Sequence, residues 1–171
     1  MKKLFLLLLV LPLAFFACGD DDDKDPDKMT IEEYMSEDRP FKWNGDWNDP
    51  SDPNYKKDGY NPLADGSYWQ SVKKPDIIFL YTKDFKNKIY VYDEDAKTLK
   101  YDNQSFDYII NDKAYQFKDE KGNPKSNVAY LISEDKKTYY ENYASLTGTT
   151  LDKRYWNKYV KFDISGLNII E

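Results

Sequence analysis

Histidine is absent from the 171 residues, and cysteine occurs once, at position 18. The first absence removes the usual proton carrier near neutral pH, and with it Ser-His and Cys-His nucleophile pairs and His-ligated zinc. The second leaves no partner thiol, so no disulfide is available to the fold. Cations are also scarce: 25 Lys and Arg stand against 31 Asp and Glu, a net charge of −6. Nucleic acids and anionic surfaces are held by clustered Lys and Arg, so nucleic acid is not expected as a partner. Catalysis is left to carboxylates, Lys and Tyr, and no spacing singles out two carboxylates facing each other at ~5–9 Å. No catalytic residue, metal ligand or cofactor is therefore nominated.

What is present begins with "KKLFLLLLVLPLAFFACGDDDD". Lys2 and Lys3 precede an apolar run from Leu4 to Phe16 that, at ~1.5 Å per helical residue, spans only ~20 Å. A hydrocarbon core of ~30 Å needs roughly 20 apolar residues. A basic start, a short apolar core and the small Ala17 read as an export signal. The tetrapeptide "FFAC" resembles the lipobox of bacterial lipoprotein signals, with Phe15 where an aliphatic residue is usual. That resemblance implies cleavage before Cys18, lipidation of Cys18, and a membrane partner held through the lipid anchor. Two or more acyl chains, at ~0.8 kcal/mol per buried methylene, suffice for stable attachment. The run Asp20, Asp21, Asp22 and Asp23 resembles the acidic segment after the lipidated cysteine in surface-displayed lipoproteins of the Bacteroidota. It implies an outer-membrane anchor facing the cell exterior. Like charges also keep such a segment extended. Residues 1–17 are thus read as a lipoprotein signal peptide and 18–28 as an acidic flexible tether.

Residues 29–171 are read as one β-rich domain, a length suited to a single core. Thr30 with Glu33 fits a capping box opening a short helix, with Ile31, Tyr34 and Met35 on one face and Arg39-Pro40 ending it. Residues 41–69 are dense in Gly, Pro, Asn and Asp yet hold three of the four tryptophans, which predicts an ordered loop pinned to the domain. The run Asp46, Asn48, Asp49 and Asp52 lacks the EF-hand pattern, and turn chemistry explains it better than calcium. From Ile77 onward, "DIIFLY", "NKIYVYD", "TLKYD", "FDYIIND", "KAYQFKD", "NVAYLIS" and "KTYYENYASL" read as short antiparallel strands separated by polar turns. In "TTLDKRYWNKYVKF", Thr150 as cap and Leu151, Tyr155 and Tyr159 at four-residue spacing predict a late helix. "FDISGLNII" predicts a closing strand broken by a Ser-Gly turn. The expected fold is mainly β: a small antiparallel curled sheet or barrel with one or two short helices. In outline this resembles small lipocalin-like lipoproteins, a likeness of shape that carries no motif of that family.

Aromatic residues make up 17% of the chain. Exposed Trp and Tyr stack well on sugar rings and on partner side chains, so Trp43, Trp47, Tyr55, Tyr60, Tyr68 and Trp69 are the candidate binding residues. The competing reading makes them core. Trp156 is expected to anchor the core rather than to stack on Arg154. Asn103 opens an "NQS" glycosylation pattern, which a bacterial signal argues against. The leading functional expectation is a non-enzymatic binding or accessory subunit for a protein or glycan, within an outer-membrane complex. The alternatives are an inhibitory or protective lipoprotein against a basic enzyme or toxin, and a carboxylate-based glycan hydrolase.

Overall fold

A computed structural model describes residues 29–40, 60–110, 114–144 and 150–171. Cys18, Asp20, Asp21, Asp22, Asp23, Trp43, Trp47 and Tyr55 lie outside the described residues, as does the oxygen-rich run of residues 46–52.

Among the described residues, eleven strands follow one short helix: β1 (Arg39–Pro40), β2 (Tyr68–Ser71), β3 (Ile77–Tyr81), β4 (Lys86–Asp93), β5 (Thr98–Ile110), β6 (Ala114–Lys118), β7 (Pro124–Ile132), β8 (Thr138–Ala144), β9 (Thr150–Leu151), β10 (Asn157–Phe162) and β11 (Asn168–Ile170). The main sheet runs β11-β5-β4-β3-β2-β10-β8-β7-β6, and β5 also pairs with β6. That extra pairing joins the sheet into an eight-stranded antiparallel barrel in which β11 is a ninth strand outside the ring. Closure satisfies backbone groups that an open sheet would leave on its two edges.

The short connections between strands use local side-chain hydrogen bonds. Between β3 and β4, Thr82 Oγ1 accepts the Lys86 amide at 3.0 Å. Between β6 and β7, Asp119 Oδ1 accepts the amides of Lys121 (2.9 Å) and Asn123 (2.8 Å). Gly122 sits in that turn at φ +79, a conformation in which a Cβ would be strained.

Strand alternation sorts the apolar residues into an inner and an outer set. Along β3, Phe79 and Tyr81 enter the barrel, while Ile78 and Leu80 face away from it. The interior is filled mostly by aromatics, among them Trp69, Tyr108, Tyr115, Phe117, Tyr130, Tyr139 and Tyr159. Leu63 and Ala64 pack into this core ahead of β2. Asn61 pins the segment by donating to the Thr82 carbonyl at 3.1 Å and to the Tyr108 hydroxyl at 2.5 Å.

Two further clusters cover the outside. Ile78, Tyr90 and Leu99 pack with Phe162, Ile164 and Leu167 from the chain's end. Ala114, Ala129 and Leu151 pack against Trp156. There the helix α1 (Ile31–Ser36) docks through Tyr34, whose ring meets Trp156 edge-on at 5.9 Å. The capping box of Thr30 and Glu33 is present. Trp156 is therefore a packing anchor, and the Arg154 guanidinium lies over Tyr155 instead, 5.6 Å from its centroid.

The late helix expected from Thr150 onward is corrected by the structure. Its residues form β9, a 3₁₀ turn (Lys153–Tyr155) and β10. The four-residue spacing of Leu151, Tyr155 and Tyr159 is ambiguous, because residues i and i+4 share a face in a strand as well as in a helix. Tyr, Trp, Val and Phe at 155–162 favour the extended form, and Tyr159 enters the barrel beside Tyr139, their rings stacked at 4.5 Å. Asp152, not Thr150, caps the turn by accepting the Arg154 amide at 2.9 Å. The closing "FDISGLNII" does yield a strand after a turn, yet β11 runs parallel to β5.

Candidate functional site

β5 is the longest strand, with 13 residues, and it serves two neighbours on one edge. β4 occupies its other edge from Asp107 to Thr98. On the free side, residues 98–100 pair with β11 and residues 108–110 pair with β6. Between these pairings, residues 101–107 have no strand beside them among the described residues. A bulge coincides with this stretch: Asp102, Asn103 and Gln104 stand opposite Ile89 alone, between the pairs Lys88–Ser105 and Tyr90–Tyr101. Extra residues bend a strand and raise its twist, so β5 leaves the barrel wall where its neighbour changes.

The Tyr108 amide donates to the Phe85 carbonyl at 3.0 Å on the β4 side. By strand alternation both backbone groups of Ser105 and the Asp107 amide then face the open edge, while the Tyr108–Phe117 register directs the Asp107 carbonyl to β6. The sequence reading split this element into "TLKYD" and "FDYIIND", because polar residues 102–105 look like a turn.

A cleft of ≈ 690 Å³ lies along this edge, walled on one side by residues 103–107 and on the other by the β6–β7 turn. Most of its walls are polar, and Phe106 is its aromatic element. Lys86 pairs with Asp107 at 3.3 Å. The Asp119 carboxylate is consumed by the turn, also accepting Asn123 Nδ2 at 3.1 Å. The Asn123 amide foremost, with its side chain, holds that carboxyl below the usual carboxylate range. Lys125 Nζ stands 4.9 Å from the Phe106 ring centroid. Among the described residues, Lys118, Lys121 and Lys125 form no ion pair, and Glu120 is the wall carboxylate left uncommitted. Its lining holds four lysines against three carboxylates, a slight excess of positive charge on an acidic protein.

From the cleft an aromatic row leads inward. Phe106 meets Phe117 at 5.7 Å, and Phe117 stacks on Tyr143 at 6.5 Å. Tyr143 is 49% exposed, and its phenol helps to lower the pKa of the nearby Glu141. Glu141 itself is 2% exposed and accepts short hydrogen bonds from the Tyr115 and Tyr159 hydroxyls. Tyr81 extends the network to Tyr115 (3.2 Å) and Tyr139 (3.1 Å). Burial raises the carboxyl's pKa against the pull of its three phenols. Burial likewise raises the phenols of Tyr81, Tyr115 and Tyr139. A carboxyl and phenols so placed can share protons among themselves, and the aromatics filling the interior surround them.

Asn87 lies opposite Phe106, 1% exposed, with both polar atoms of its amide unpartnered. Sequence reasoning passed over Asn87 and Glu141. A lone Glu between tyrosines in "YYENY" resembles a wet strand face until the alternation from Tyr139 is followed inward.

Three of the six aromatics nominated for binding are described, and all three pack. Trp69 is 1% exposed in the barrel core, its Nε1 near the Leu63 carbonyl at 3.4 Å. Lys161, itself paired with Asp65 at 2.7 Å, stands 5.4 Å from its ring centroid. Tyr68 is half-buried and meets Tyr90 edge-on at 5.5 Å on the outer face. Tyr60 packs against the core beside Leu63. A ring as enclosed as Trp69 offers no face to a sugar, so the stacking role expected for it gives way to packing. Asn103 of the "NQS" pattern lies in the bulge and on the cleft wall.

No family model, no curated protein and no solved structure matches this chain.

Proposed function

We propose that this protein is a lipid-anchored, outward-facing accessory subunit of an outer-membrane assembly, and that it binds a protein partner through the cleft beside β5. The observation that supports the reading most is the interrupted edge: residues 101–107 present backbone donors and acceptors to a cleft in the wall of an otherwise closed barrel. Open edges are a hazard that folds usually cover or twist away, and one retained beside a cleft suits a partner that covers it. Support for the anchor comes from the "FFAC" border at Cys18 and the aspartates after it.

Protein is preferred to glycan because the described candidate aromatics are packed, and Phe106 already lies beneath Lys125. An inhibitor of basic enzymes is less well served, since the uncommitted charges at the cleft are mainly ammoniums. Photocross-linking in intact cells tests the reading. A benzophenone side chain at Gln104 is expected to capture a discrete outer-membrane protein, while one at Tyr155, 58% exposed, captures none. No adduct from Gln104, or the same adducts from both sites, refutes the reading.

A further inference from the structure

We infer that the partner segment entering this cleft is an acidic strand in extended conformation, which adds to β5 between residues 101–107 and the β6–β7 turn. This rests on the accessory-subunit reading and specifies its ligand. Two independent features meet in one place. The first is backbone: among the described residues no strand pairs with the edge of β5 at Ser105, whose amide and carbonyl, with the Asp107 amide, are offered to any chain laid alongside. Strands rise ~3.3 Å per residue, so the seven-residue gap accepts a segment of roughly equal length.

The second feature is charge. Among the described residues, Lys118, Lys121 and Lys125 line the facing wall without ion pairs, while Asp107 pairs with Lys86, Asp119 is bonded within the turn, and Glu120 is the carboxylate left beside the three lysines. A strand carrying carboxylates at alternate positions aims all of them at one side, where these ammoniums stand. The chain's net charge of −6 repels an acidic partner at long range. The three lysines therefore fix register and identity after encounter rather than speeding it. Salt at physiological strength, with a Debye length of ~8 Å, still leaves contacts inside the cleft effective.

The test uses the lipidated protein in mild detergent and three fluorescent ten-residue peptides, read by anisotropy. One alternates Glu with Val, one alternates Lys with Val, and one is the Glu peptide N-methylated at alternate amides, which keeps its charge but blocks strand pairing. The Glu peptide is expected to bind. The Lys peptide and the N-methylated peptide should each bind at least about tenfold more weakly, and K118Q/K121Q/K125Q should weaken the Glu peptide by a similar factor. Binding should also slow hydrogen exchange at the Ser105 and Asp107 amides.

Equal binding of the Glu and Lys peptides overturns the acidic assignment. Equal binding of the N-methylated peptide overturns strand addition. Absence of binding by all three, while Gln104 still cross-links a partner in cells, overturns this inference and leaves the accessory role standing. Loss of that cross-link removes both.

Discussion

Replacing Glu141 by glutamine and by alanine separates its hydrogen bonds from its charge. The side chain is 2% exposed and accepts hydrogen bonds from the Tyr115 and Tyr159 hydroxyls. Glutamine keeps the shape and an accepting oxygen. Alanine strips an acceptor from the Tyr115 and Tyr159 hydroxyls, and each unsatisfied buried group costs about 1–3 kcal/mol. E141A should therefore lose about 2–6 kcal/mol at low pH, before any allowance for the space left behind.

The charge is seen in the pH dependence. Burial places the folded pKa of Glu141 above its unfolded value of about 4.3. The folded state then holds this proton more tightly than the unfolded state does. Its contribution is complete below about pH 4.3 and is withdrawn, by about 1.4 kcal/mol per pH unit, as pH rises to the folded pKa. Asp119, Asp152 and Asp163 are shifted downward and act in the opposite sense, losing their support as pH falls. They are common to wild type and variant, so the difference between the two isolates Glu141. Urea denaturation followed by Trp fluorescence from pH 4 to 8 should show E141Q gaining on wild type as pH rises above about 4.3, until the folded pKa of Glu141 is passed. Parallel curves for the two proteins would refute the buried-carboxyl reasoning.

Other substitutions test other parts of the account. Trp69→Ala should cost about 3–5 kcal/mol in denaturation, as a large core ring does; a loss under 1 kcal/mol would return Trp69 to the surface. Gly122→Ala meets no atom within 4 Å yet must hold φ +79, so a loss of about 1–2 kcal/mol from backbone strain alone is expected in the same assay. Cys18→Ser should abolish metabolic labelling with radioactive palmitate and free the protein from washed membranes; retention of both label and attachment would remove the anchor.

The fold was legible where side-chain alternation was unopposed. "NKIYVYD" and "NVAYLIS" place their even and odd residues on opposite faces, and β4 and β7 follow them. The Thr30–Glu33 box was equally plain, since its chemistry is contained in four residues. The late helix misled because a four-residue repeat fits both periods, and partners distant in sequence decide between them: Tyr139 beside Tyr159, and Ala114 and Ala129 beneath Trp156. β2 escaped notice because "YWQS" follows a turn-rich stretch and is only four residues long. The cleft left no local mark either. It exists because β11 and β6 take different parts of one edge, and no single segment records that arrangement. The aromatics of residues 60–69 were visible as a group, but their packing depends on closure of a barrel whose first strand begins at Tyr68.

Hydrogen exchange at the β5 edge tests the central claim most directly. In the isolated protein the amides of Ser105 and Asp107 should exchange rapidly, since among the described residues no strand lies beside them. In outer-membrane vesicles, with the proposed partner in place, the same amides should be protected while those at the exposed Tyr155 turn are unchanged. Equal exchange at Ser105 and Asp107 in both settings would contradict the account.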